Sequence, residues 1–195
     1  MIRGFNSALI CLCYIGILFS QNTYPIILIH GFLGWGRDEM AGYYYWGGKT
    51  DLETELKSSG YEVYTVSVGP ISPNWDRAIE AFYQIKGGQV DYGNEKAEKH
   101  GIIQRPAGKN YPGFYPQWDA EHPVHLIGHS QGGSTAKMLE VLLQSSITGE
   151  DSPLLANVYT GWISSVTTIS TPHNGTTLVP LMLDVFPFAL NLAPW

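Results

Sequence analysis

The sequence runs to 195 residues, 44% hydrophobic, 13% aromatic and only 14% charged, with a net charge of −6. That apolar content can build a sizeable core and excludes wholesale disorder, while 22 Gly and 12 Pro without a fixed period exclude a collagen-like chain. An acidic chain with no basic cluster excludes nucleic acid as an expected partner.

In chain order, Arg3 followed by the apolar run 8–19 and the small residue Ser20 reads as a secretory signal over residues 1–20. Twelve helical residues reach about 18 Å against roughly 30 Å of bilayer hydrocarbon, so no stable membrane span is expected. A buried N-terminal helix or a membrane anchor is the alternative. Both cysteines, Cys11 and Cys13, lie here, so cleavage would leave an exported, secreted chain without disulfides.

Residues 21–195 read as one domain of alternating strands and helices. The run Ile26-Ile27-Leu28-Ile29 predicts a strand buried on both faces. Residues 51–59 predict a short helix with Thr50 as N-cap and Gly60 as stop, and 61–68 a second strand. Asn74 or Asp76 would cap a helix with Ala78, Ile79, Phe82 and Ile85 on one face. Residues 90–118, rich in Gly, Pro, Tyr and Lys, read as a long irregular excursion. A strand over 124–127, a helix over 134–144 and a strand over 162–170 follow. This alternation predicts an α/β fold, a mostly parallel sheet covered by helices.

Gly128-His129-Ser130-Gln131-Gly132 matches G-x-S-x-G, entered by a strand and left by an amphipathic helix. A serine there sits on a sharp, strained turn with its hydroxyl above the sheet, at a helix N-terminus whose partial positive charge favours a developing anion. His30-Gly31-Phe32 follows the first strand directly, where a loop of this type can aim a backbone N–H at the site. With the Gln131 N–H it would form a two-donor oxyanion hole, each donor worth roughly 3–4 kcal/mol in the transition state. His30 itself reads as a hydrogen-bonded core histidine, not the base. Tyr43-Tyr44-Tyr45-Trp46 reads either as a lipid-facing surface or as packing under a loop.

Taken in order, Ile29-His30-Gly31-Phe32, Trp46-Gly47-Gly48, Val68-Gly69-Pro70, Asn74-Trp75-Asp76-Arg77-Ala78, Val90-Asp91-Tyr92-Gly93, Gly128-His129-Ser130-Gln131-Gly132-Gly133 and Thr171-Pro172-His173 closely resemble the secreted bacterial lipases of the thermoalkalophilic and staphylococcal type. The resemblance runs from about residue 24 to 178. It implies an α/β-hydrolase that cleaves triacylglycerol esters at an oil–water interface. It makes Ser130 the nucleophile and the Phe32 and Gln131 N–H groups the oxyanion donors.

The same resemblance places the catalytic Asp and His downstream of the Thr-Pro-His motif, so both are expected to be absent from this chain, which would then be the N-terminal part of the domain. Only Glu140, Glu150 and Asp151 lie between Ser130 and His173, and Thr171-Pro172-His173 matches a structural turn. The family's zinc site implies Asp76 as one ligand, but Lys96 and Ile102 stand at its histidine positions, and His100 nearby is too little to complete a set. No metal and no other cofactor is therefore expected; the family's calcium ligands fall beyond this sequence. The apolar stretch 178–195 falls where a mobile lid begins in the family. The Asn174-Gly175-Thr176 sequon abuts the Thr-Pro-His turn. Alternatives are an esterase or acyltransferase of the same fold, or a non-catalytic lipid-binding product.

Overall fold

A computed structural model describes residues 22–177. The expected signal segment and the stretch 178–195 lie outside the described residues. Four strands form one parallel sheet, β1 (Ile26–Ile29), β2 (Val63–Val66), β5 (Val124–His129) and β6 (Ile163–Ile169), in the order β2-β1-β5-β6. The first strand is thus central: Ile26 pairs with Val63 on one side and with His125 on the other. Its β-branched run is suited to that position, with Ile27, Leu28 and Ile29 all buried.

Helix α1 (Leu52–Ser58) is preceded by Asp51 rather than Thr50 as N-cap. The Asp51 carboxylate is held by Arg37 and Thr54. Helix α2 (Asn74–Lys86) follows Pro73 as N-cap, and its expected apolar face, Ala78, Ile79, Phe82 and Ile85, is buried. Helix α4 (Gln131–Leu143) begins directly after Ser130, three residues earlier than its apolar periodicity suggests. Gly132 and Gly133 are poor helix formers, yet tertiary packing fixes them there. Helices α2 and α4 pack on the sheet face that carries Ile27, Ile29 and Leu126, forming the main core with Trp118, Leu139 and Leu143.

The excursion is more ordered than its composition suggests. Strands β3 (Gly88–Gln89) and β4 (Asn110–Tyr111) pair antiparallel around helix α3 (Asn94–His100). A further short helix, α5 (Pro153–Ala156), starts with Pro at its first turn, a signal the apolar periodicity does not carry. Strand β2 ends at Val66, two residues short of the expected end, because residues 67–70 leave the ladder for other partners. β6 forms one border of the described sheet, with Ser164, Ser165, Thr167 and Ile169 exposed. Among the described residues, no helix is long and apolar enough to cross a membrane.

Candidate functional site

The candidate nucleophile, Ser130, sits between the C-terminal end of β5 and the first residue of α4, with φ 54° and ψ −126°. A non-glycine residue there is strained, and such strain is typically held by its surroundings. Here the Ser130 N–H donates to Ile169 O at 2.8 Å, and the Ser130 carbonyl accepts from Gly133 N–H at 3.1 Å. The helix can pivot so close to the sheet only because residue 132 lacks a side chain: a Cβ there would lie 2.1 Å from Ile29 O. The chain after β1 approaches from the other side. A Cβ on Gly31 would lie 2.7 Å from Ser130 Cβ, so the His30-Gly31-Phe32 backbone touches the serine directly.

The two expected oxyanion donors each neighbour this contact in the chain, Phe32 after Gly31 and Gln131 after Ser130. Among the described residues, no hydrogen bond engages the Phe32 N–H or the Gln131 N–H, the latter at the first position of α4 where intrahelical acceptors do not exist. The Phe32 side chain is 40% exposed and shares the surface with Leu33 and Ile71, which are more exposed still. Leu33 N–H donates to Pro70 O at 2.8 Å, which sets the chain after β1 beside the segment that carries Ile71.

His30 is fully buried and both ring nitrogens are engaged. Nε2 accepts from Val68 N–H at 3.3 Å, which leaves the proton on Nδ1 to donate to Gly31 O at 2.9 Å. Burial lowers its pKa, keeping the ring neutral. Three donors of Arg77, also buried, converge nearby: on Gly69 O at 2.6 Å, on Thr135 Oγ1 at 3.0 Å and on His30 O. Burial lowers this guanidinium to about 10, so it stays cationic at neutral pH and adds positive potential behind the loop. The Tyr45 hydroxyl accepts from Gly31 N–H at 2.9 Å and donates to His129 Nδ1. Tyr45 and Trp46 thus pack against His129, while Tyr43 is exposed.

No described hydrogen bond joins Ser130 Oγ to any of the six histidines. His173 Nε2 pairs with Thr168 Oγ1 at 3.0 Å, His125 Nδ1 with Ser165 Oγ at 2.7 Å, and His122 with Asp119. The candidate acids are equally occupied elsewhere: Glu140 by Lys137, Glu150 by the Asn94 and Glu95 N–H groups, and Asp151 by Arg105 and Gln104. Around Asp76, the Lys96 ammonium takes the place a cation would hold, as an ion pair with the carboxylate. A donor set containing an ammonium does not fit zinc.

The sequence motifs give Arg77 no role and do not mark out Tyr45, Glu80 or Gln84. A usable signal was present: Arg77, Glu80 and Gln84 share the helical spacing of the buried stripe on α2, and polar residues inside a buried stripe need partners.

A parallel sheet with a serine on a strained strand-to-helix turn, faced by the loop after the central strand, defines the α/β-hydrolase class. Within it, the chain belongs to the family described as the lipase-like, C-terminal domain, whose model matches residues 22–184. It is 43% identical over 169 residues to a lipase of Staphylococcus epidermidis, covering 80% of this chain and 24% of that protein. The solved structure of EstA from Clostridium botulinum is similar at a TM-score of 0.78 and 47% identity, over 87% of this chain and 42% of that one. Lipase 1 from Pelosinus fermentans is similar at 0.79 and 45%, over 88% and 47%. The chain spans about a quarter of the length of the curated relatives it matches, and under half of these two solved structures.

Proposed function

We propose that this chain is the nucleophile-bearing part of a triacylglycerol lipase-type carboxylic ester hydrolase. The observation that carries this reading is the left-handed backbone of Ser130, held against the His30-Gly31-Phe32 loop beside two unengaged N–H groups. Ser130 Oγ would attack the ester carbonyl carbon while a base takes its proton. The oxyanion would be stabilised by the Phe32 and Gln131 N–H groups, the alcohol would leave, and water would then release the fatty acid from the acyl-serine. The family resemblance assigns the base and its acid partner to residues beyond this sequence. No metal and no cofactor takes part in these steps.

The exposed apolar residues Phe32, Leu33 and Ile71 favour a water-insoluble ester at an oil–water interface over a small soluble one. The lipase names of the relatives support the same substrate class. Residues 1–20 act as a signal peptide in this reading, so the working protein is secreted and residues 21–195 are part of its hydrolase domain.

The test is labelling of Ser130 by an alkyl phosphonate, followed by peptide mapping, in a chimera completed with the C-terminal half of one of the similar lipases. Phosphonylation of Ser130 and hydrolysis faster on emulsified than on dissolved ester support the reading. Hydrolysis that survives Ser130→Ala overturns it.

A further inference from the structure

We infer that Gln84 and Glu80, two side chains on α2 that touch no candidate reacting group, are positioning residues for the oxyanion loop, acting through the segment 67–70. This rests on the ester hydrolase reading above. The segment leaves the ladder when β2 ends at Val66, yet its backbone groups are satisfied as though a strand still flanked it. The Gln84 side-chain amide accepts from Ser67 N–H at 2.8 Å and donates to Ser67 O at 2.6 Å. Two residues on, Gly69 N–H donates to the Glu80 carboxylate at 2.7 Å, and Gly69 O accepts from Arg77. Side chains on one face of a helix therefore stand in for a missing neighbour strand.

Extended backbone presents alternate residues to opposite sides. Residues 67 and 69 face α2, and residues 68 and 70 face the loop after β1. Val68 N–H reaches His30 Nε2, and Pro70 O accepts from Leu33 N–H. These two bonds bracket Gly31 and Phe32, so a shift of the segment is passed to the Phe32 amide. The other face of the site is tied to the same region, because Gln131 Nε2 donates to Ser72 O at 3.1 Å. Glu80 is itself fixed: its second oxygen accepts from the Tyr92 hydroxyl and the Lys109 ammonium, each at 2.5 Å. Both side chains are almost fully buried, Glu80 at 3% and Gln84 at 4% exposed.

The experiment compares Gln84→Leu, Gln84→Glu and Glu80→Gln. Gln84→Glu keeps an acceptor for Ser67 N–H and loses the donor, while Glu80→Gln keeps an acceptor for Gly69 N–H and loses the ion pair. One readout is the amide NMR shifts of Phe32 and Val68 and the His30 ring tautomer in the 195-residue chain. The other is ester kinetics in the completed chimera, per phosphonate-titrated active site. Gln84→Leu is expected to lower kcat about tenfold or more, approaching the roughly 10²-fold cost of a 1 Å misplacement, with KM within about twofold. Gln84→Glu should recover part of the loss, and Phe32 and Val68 should shift while Leu139 and Leu142 do not. An unmoved Phe32 amide, or a kcat unchanged per titrated site, overturns the inference. If the parent chimera hydrolyses no ester, the enzyme reading fails and the NMR arm alone decides: displacement of Phe32 and His30 upholds positioning, and its absence overturns it. If Gln84→Leu does not fold, the two milder variants decide in the same way.

Discussion

The contact between α4 and the central strand offers a substitution whose sign separates local propensity from tertiary packing. In an isolated helix, Gly132→Ala would stabilise by about 1 kcal/mol. Here the added Cβ meets Ile29 O at 2.1 Å and His30 O at 2.6 Å, where such contacts essentially never fall below 3.0 Å. Helix and strand must therefore separate by about 0.9 Å. Neither oxygen can swing aside as a side chain would, because both are backbone atoms of β1 and its exit, and β1 is paired on both edges. Overpacking of a rigid contact costs about 1–3 kcal/mol, and the upper end applies where only backbone can yield. A net loss of about 2 kcal/mol is expected once the propensity gain is subtracted. Urea unfolding followed by far-ultraviolet circular dichroism would show it as a lower midpoint at unchanged slope. In a completed enzyme the same displacement separates Ser130 from the Phe32 amide and should cost roughly 10²-fold in kcat. A Gly132→Ala chain as stable as the parent would refute the claim that this contact is rigid.

Other outcomes follow from the same geometry. Ser130→Ala should remove ester hydrolysis by a factor on the order of 10⁶ in kcat, while Ser130→Gly should raise stability by about 1–3 kcal/mol through release of backbone strain; thermal melts and rate assays read the two effects separately. The 195-residue chain by itself should show at most the residual catalysis of roughly 10³–10⁴ over water, because among the described residues no histidine is bonded to Ser130, and turnover at the scale of ordinary lipases would contradict this. Stability should fall on acidification below the ordinary histidine value of 6.5. With its pKa lowered by burial, folded His30 stays neutral where the unfolded chain binds a proton, so this stabilisation is present above 6.5 and is lost as pH falls through the folded value. Equal acid sensitivity in His30→Gln would assign the effect to another group.

The parts legible in the sequence are those that local chemistry fixes. The β-branched run after Pro25 marks β1 at its observed bounds, and the strand–serine–helix passage places Ser130 at its turn. The less legible parts depend on distant partners. Val68 looks like a continuation of β2, and only the Gln84 and Glu80 side chains, brought in by the packing of α2, show why the ladder stops earlier. Tyr45 reads as one of three adjacent tyrosines until the fold sets its hydroxyl between Gly31 and His129, 84 residues away from the latter. The order within 88–111 likewise depends on Gly88 meeting Tyr111 across a region with little hydrophobic period.

The central place of β1 also bears on how the chain comes to be folded during synthesis. The strand emerges first, yet Val63 follows Ile26 by 37 residues and His125 follows it by 99. Loop closure over such spans is slow, and an uncharged β-branched segment awaiting its partners is prone to associate with other chains. The serine turn forms later still, since the Ser130 N–H finds its acceptor only when Ile169 has left the ribosome. Ile26–Ile29 thus waits with both edges unpaired until Val63 emerges and with one edge unpaired until His125 does, which makes this strand a segment in need of chaperone cover during synthesis.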